Sequence, residues 1–168
     1  MRDLYFIDGY NVIFWEPKIF PKSDLETARK KLNDMLLDFG AHRNIEIVVV
    51  YDGQSLSHNP QETKLTEFMT EVYTPKHMTA DSYIEKESYR RRGEYREIYV
   101  ISSDGSVQNQ ILGNGSYRMA VADLMRVLSE DKAEQHDFIR KNHEGHLRGE
   151  IGRNVSADVL EKLEKLRK

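Results

Sequence analysis

Ile45-Glu46-Ile47-Val48-Val49-Val50-Tyr51-Asp52-Gly53 is the most β-branched run of the chain, and it stops at an Asp-Gly pair. Branched side chains pack well on a pleated surface, so residues 45–51 are predicted to form a strand. Leu4-Tyr5-Phe6-Ile7 is a shorter, aromatic version of the same pattern and ends at Asp8-Gly9, while Glu97 to Ser102 is followed by Asp104-Gly105. Phe68 to Thr74 reads as a weaker strand. Between these runs the periodicity turns helical. Leu25, Ala28, Leu32, Met35, Leu36 and Phe39 share one face, with Ser23 and Glu26 as a capping box and Gly40 as a stop. Thr79 is placed to cap a helix from Ala80 to about Arg92, which Gly93 ends. A short helical piece over Val107 to Leu112, a longer helix over Arg118 to Asn142 and a last one over Val155 to Lys168 complete the expectation, with Gln54 to Lys64 as loop. Strands separated by helices rather than by two-residue turns are the pattern of βαβ units, so the class is α/β with a parallel sheet.

The 168 residues correspond to one domain of ordinary size. Charged residues make up 32%, yet 25 Lys and Arg stand against 28 Asp and Glu, and a net charge of −3 argues against a histone-like polycation. No cysteine is present, which excludes disulfides, thiolate metal sites and Cys nucleophiles. The chain opens on a strand-like run without a signal peptide, and no apolar stretch approaches the roughly 18 residues of a membrane span. The expectation is a cytoplasmic protein.

A parallel sheet gathers the carboxyl ends of its strands on one edge, where ligands bind in open α/β sheets. Asp8, Asp52 and Asp104 each follow a predicted strand, so three acids far apart in sequence are expected on that edge. The alternative is that each Asp-Gly is a hairpin turn, but no partner strand follows Asp8 or Asp104 within a few residues. Asp81 falls in the first turn of the helix capped by Thr79, and Glu85 lies one turn later on the same face. Acids in a first turn favour the helix dipole, which accounts for Asp81 and not for Glu85. A divalent cation would relieve the repulsion among these groups. An all-carboxylate set with scattered histidines suits Mg²⁺ or Mn²⁺ better than zinc. His143 and His146 lie in a basic segment, and His42, His58, His77 and His136 belong to no constellation, so surface placement is expected for them.

Asp8-Gly9-Tyr10-Asn11, Thr79-Ala80-Asp81 with Ile84-Glu85, and Ser102-Ser103-Asp104 occur in the order and at the spacing of a known family. The chain resembles the YacP-like group of NYN domains, which are PIN-like nucleases. The likeness runs from about Asp3 to about Leu128 and includes Val50-Tyr51-Asp52 and Gly113-Asn114-Gly115-Ser116-Tyr117-Arg118. It implies a PIN-like three-layer fold, a central mainly parallel sheet flanked by helices. The nuclease domain would occupy 1–142, and 143–168 would be a basic linker and C-terminal helix packed on or extending it. The resemblance further implies a metal-dependent endoribonuclease acting on single-stranded RNA and leaving a 5′-phosphate and a 3′-hydroxyl. Some members are similar in acting on ribosome-bound mRNA. Carried over by position, Asp8, Asp81 and Asp104 become the metal-binding and catalytic acids. Asp52 and Glu85 are further candidate ligands, and Asn11 and Ser103 are positioning residues. One or two Mg²⁺ or Mn²⁺ ions are the implied cofactor.

An acidic edge repels a phosphodiester, so basic residues elsewhere must hold the strand. Arg90, Arg91, Arg92 and Arg96, interleaved with Tyr89 and Tyr95, form one candidate patch, and Arg140, Lys141 and Arg148 a second, with Arg118 as a further candidate. A solvated helix end explains either patch equally well. Tyr10 and Trp15 near the edge are read as packing residues or as platforms for bases. Three other functions compete: a catalytically idle RNA- or ribosome-binding module, a receiver-type signalling domain with Asp52 as phosphoacceptor, and a haloacid-dehalogenase-like phosphatase, which would want a second Asp where Tyr10 stands.

Overall fold

The computed structural model describes residues 1–16, 18–102 and 115–154, with the backbone alone over 146–154. The chain divides into two compact units, Met1–Asp131 and Lys132–Lys168. In the first, the elements run β1 (Leu4–Asp8), α1 (Gly9–Trp15), α2 (Leu25–Arg43), β2 (Glu46–Tyr51), β3 (Gln61–Thr66), β4 (Met69–Tyr73), α3 (Ala80–Arg90), β5 (Ile98–Ser102) and β6 (Tyr117–Ala120). The helix α4 (Val121–Asn154) starts in this unit. In the second unit, the described part is the remainder of α4, where Arg140 pairs with Asp137 at 3.7 Å. Among the described residues, no helix is long and apolar enough to cross a membrane.

Six strands form one sheet in the order β3-β4-β2-β1-β5-β6. All neighbours are parallel except β3 and β4. Both faces are covered. Tyr5, Ile7, Ile47, Val49 and Tyr51 point to one side and pack with Leu32, Leu36 and Phe39 of α2 and Val121, Leu124 and Leu128 of α4. Leu4, Phe6, Val48, Val50 and Val100 point to the other, against Ala80, Tyr83 and Ile84 of α3. Two-sided burial is why β1 and β2 read as continuous apolar runs rather than alternating ones. The result is the expected helix-sheet-helix α/β fold, and it sets the ends of β1, β2 and β5 side by side.

Several local expectations shift. The α2 cap is Asp24 instead of Ser23, because the Asp24 carboxylate accepts the Thr27 backbone N–H at 3.2 Å and the Thr27 hydroxyl at 2.6 Å. Gly40 does not stop α2, which ends at Asn44 in the left-handed region at φ 55°. Gly40 is needed for close packing instead, since a Cβ there would sit 2.9 Å from the Ile45 carbonyl oxygen. The loop expected over 54–64 yields β3, whose residues are all exposed and carry no apolar alternation. The helix expected from Arg118 is preceded by β6, where Tyr117 stacks on Tyr99 with ring centroids 5.5 Å apart. His42 is not isolated: its Nδ1 lies 2.5 Å from the buried Asp131 carboxylate, which Arg43 Nε also meets at 2.6 Å. The expected helix over Val107 to Leu112 and the one over Val155 to Lys168 lie outside the described residues. α4 runs without interruption through position 142.

Candidate active site

At the carboxyl edge of the sheet a cleft of about 270 Å³ is lined by Asp8, Asn11, Asp52, Thr79, Ala80, Asp81, Ser102 and Arg118. Distinct elements carry these residues to it. Asp8 is the last residue of β1 and the N-cap of α1, and its carboxylate accepts the Asn11 backbone N–H at 3.4 Å. The helix begins immediately because residue 9 is glycine. A Cβ at that position would lie 2.2 Å from Cε1 of the fully buried Tyr51, so the Asp8-Gly9 pair is a close-packed strand-to-helix junction, not a hairpin turn.

Asp52 follows β2. Its Oδ1 accepts the Ala80 backbone N–H at 2.8 Å and the Thr74 hydroxyl at 3.3 Å, and Thr74 Oγ1 in turn accepts the Gly53 N–H at 3.0 Å. Thr74 is fully buried, while Asp52 itself is exposed to the cleft. Thr79 caps α3 by accepting the Ser82 N–H at 3.0 Å, which leaves Asp81 exposed in the first turn. The Asp52 carboxylate is therefore tied to the residue next to Asp81.

The electrostatics of the cleft are uneven. The Asp8 carboxyl is pushed from 3.8 up to about 6, by burial foremost and then by the charges of Asp52 and Asp81, against the lowering effect of the Asn11 N–H. Alongside the acids stands Arg118 on β6, in register with Val100. Among the described residues, Arg118 Nε and the Ser102 hydroxyl are buried without a hydrogen-bond partner. Buried donors are rarely left so, and both belong to the cleft wall.

The donor set consists of oxygens, and mutual repulsion is built into it, which fits a hard divalent cation. Asp8 and Asp81 both line the cleft. Among the described residues, the carboxylate oxygens of Asp8, Asp52 and Asp81 do not all lie within 4.8 Å of one another. Mg²⁺ commonly takes one or two carboxylates and completes its shell with water, so binding of that ion does not require all three acids to converge.

The remaining expected residues lie elsewhere. Asp104 and Ser103 fall outside the described residues. Glu85 is exposed on α3 and does not line the cleft. The arginine patch sits at the opposite edge of the sheet, about 16 Å away by the length of a five-residue strand. Arg96 donates its backbone N–H to Arg2 and forms a two-pronged pair with Asp3, both bonds 2.9 Å, ahead of β1. Arg90 and Arg91 both bind Glu87, at 2.6 and 3.0 Å, and Arg92 covers the Tyr89 ring at 4.1 Å. Three of these arginines thus have carboxylate partners, at the end of α3 and ahead of β1. Arg140 and Lys141 are exposed on α4, on which Arg148 also falls. Sequence reading missed Ser102 as a cleft residue and Thr74 behind Asp52; a small polar residue at a strand end carries no distinguishing pattern.

The family profile "YacP-like NYN domain" matches residues 5–168. The chain is 28% identical over 169 residues to the uncharacterized protein YacP of Bacillus subtilis (strain 168), covering 99% of this chain and 97% of that one. A crystal structure of Rae1 (YacP) from Bacillus subtilis is similar at 26% identity and a TM-score of 0.71, over 98% of this chain and 94% of that one. A crystal structure of a single-substitution mutant of Rae1 superimposes with a TM-score of 0.67 at 24% identity, over 84% of this chain and 83% of that one. The chain belongs to the YacP-like NYN domain family, a PIN-like nuclease domain.

Proposed function

We propose that the chain is a divalent-metal-dependent endoribonuclease hydrolysing phosphodiester bonds of single-stranded RNA, with mRNA in a ribosome-associated setting as its substrate. The observation that carries this reading is the meeting of Asp8, Asp52 and Asp81, from three distant segments, with Arg118 in one cleft. Burying a carboxyl on a rim it shares with two further acids costs stability, with burial the larger cause of the raised Asp8 carboxyl and the charges of Asp52 and Asp81 the lesser one, and a purely structural rim gains nothing from that cost. The ribosome-associated setting rests on family resemblance alone.

Asp8 and Asp81 hold the Mg²⁺ or Mn²⁺ ion, and Asp104, two residues beyond Ser102 in sequence, is the proposed third acid. When bound, the ion supplies an activated water and neutralises charge on the scissile phosphate and leaving oxygen. Asp52 keeps the first turn of α3, and hence Asp81, fixed through Ala80. The Arg118 guanidinium offers donors in the same cleft to a phosphate oxygen, a pairing favoured by its planar fork. Asn11, in the first turn of α1, lines the wall against which the strand lies. The engagement of one Asp52 carboxylate oxygen by Ala80 and Thr74 supports an orienting role for that residue, and the family match favours the nuclease reading over the receiver-type one.

Incubation of the purified protein with single-stranded RNA, in Mn²⁺ and in EDTA, free and on ribosomes, tests the reading. Cleavage in Mn²⁺, abolished by EDTA and by Asp8→Asn or Asp81→Asn, is the expected result. Binding without cleavage in every condition would identify an idle RNA-binding module instead.

A further inference from the structure

Phe14 and Trp15 stand three and four residues beyond Asn11 on α1, so both lie on its face of that helix, with neighbouring Cβ atoms about 5–6 Å apart. Asn11 belongs to the cleft wall. The next turn along the same face carries two large aromatic rings left in solvent, Phe14 at 47% and Trp15 at 44% exposure. Their neighbour Tyr10 is different. It packs edge-on against Tyr51 with centroids 5.3 Å apart, and its hydroxyl accepts from Arg29 at 2.9 Å. Tyr10 thus supports Phe14, whose ring lies 6.1 Å away at 32°. The Lys22 ammonium sits 5.7 Å from the Phe14 centroid, and Lys18 is exposed just beyond the helix.

We infer that Phe14 and Trp15 form a stacking platform for an unpaired base of single-stranded RNA, one helical turn from the cleft, with Lys22 and Lys18 beside it for the backbone phosphates. The inference rests on the nuclease reading and adds to it how the strand is gripped. Aromatic faces accept any base, whereas the bases of a duplex are already stacked on one another. The flanking lysines give the surface the charge that a nucleic-acid backbone requires and that the acidic cleft does not supply. The platform therefore makes the enzyme selective for unpaired strands and indifferent to base identity at that position.

Trp15 is the chain's one tryptophan, so its emission reports on this surface alone. The full chain is titrated with end-labelled oligoadenylate, in EDTA and in Mg²⁺, following Trp15 emission and label anisotropy together. An oligomer of equal length with abasic sites serves as the charge-matched probe. Quenching of Trp15 in step with anisotropy is expected, with the abasic oligomer binding about tenfold more weakly and without quenching. Phe14→Leu and Trp15→Leu should each weaken oligoadenylate about tenfold and leave the abasic oligomer unaffected. Oligoadenylate that binds with Trp15 emission unchanged, or with both variants at wild-type affinity, overturns the platform. Absence of binding in both buffers overturns it too. RNA cleavage by the same preparation would show in either case that the nuclease reading survives without it.

Discussion

The Asp52 carboxylate accepts the Ala80 backbone N–H at 2.8 Å, joining the end of β2 to the first turn of α3. Twenty-eight residues separate the two in sequence, and the next position after Ala80 is Asp81. One acid of the cleft thereby places another.

That relationship separates two roles for Asp52 by substitution. Asparagine retains an oxygen that accepts from Ala80, so Asp52→Asn should keep most of the cleavage rate. Asp52→Ala should lose both the bond and roughly 1–3 kcal/mol of stability, and with them the alignment of Asp81. Cleavage rates and denaturant midpoints of the two variants check this. Equal loss of activity in both, with stability unchanged in the asparagine form, would make Asp52 a metal ligand.

Asp8 gives the metal-free protein a pH signature. Its folded carboxyl lies at about 6, above the ordinary 3.8, so between those values the folded state holds more proton than the unfolded one. Stability from this group therefore increases as pH falls from 7 toward 4, and the penalty is fully present above pH 6. Asp8→Asn should raise the melting temperature by a few degrees in EDTA at pH 7.5, on the order of 1–2 kcal/mol after allowing for the group's partial solvation, and flatten the pH dependence. Mg²⁺ should stabilise the wild type and leave the variant unmoved. Thermal melts across pH, with and without Mg²⁺, decide it.

Gly9 is the tightest point of the β1–α1 junction. Gly9→Ala places a methyl group 2.2 Å from the Tyr51 ring and must displace α1 or the ring, at a cost of about 1–3 kcal/mol or more. Because Asp8 is the cap of α1, cleavage should fall along with stability. Tyr51→Leu in the same chain should recover part of the loss, a coupling that a double-mutant cycle measures directly.

The arginines divide by sheet edge. Arg118→Ala should lower the cleavage rate by about 10²-fold or more, as expected for loss of a donor to the reacting phosphate. Arg96→Ala breaks the pair with Asp3 at the amino edge and should leave cleavage within a factor of about two, with a stability change below about 1 kcal/mol. Initial rates on one RNA at fixed salt test both, and a large effect at Arg96 would relocate the RNA path.

Much of this arrangement is legible in the chain itself. β1 and β2 announce themselves because both of their faces are buried, and each ends in or just before an acid, which is what brings Asp8 and Asp52 to the cleft beside Asp81. β3 is invisible to hydrophobic patterning because an exposed antiparallel edge strand has no core side. β6 is masked by the helical spacing of Met119, Ala122 and Met125, so Arg118 reads as a helix start rather than as a strand residue beside the acids. The Arg90 to Arg96 run looks like a nucleic-acid patch until its partners are known. Glu87 and Asp3 pair with three of those arginines, and their pairing is a fact of the folded chain that composition does not encode. Phe14 and Trp15 are similarly ambiguous, since exposed and buried aromatics on a short helix share one pattern.

The central claim is that side chains from separate segments hold a divalent ion against an RNA phosphate. Anomalous scattering from crystals soaked in Mn²⁺ tests it most directly. A manganese peak in the cleft with Asp8 and Asp81 oxygens or their bridging waters around it, lost in crystals of Asp8→Asn, is the predicted result. A preparation that cleaves RNA in Mn²⁺ while its crystals hold no manganese between Asp8 and Asp81 would contradict the account.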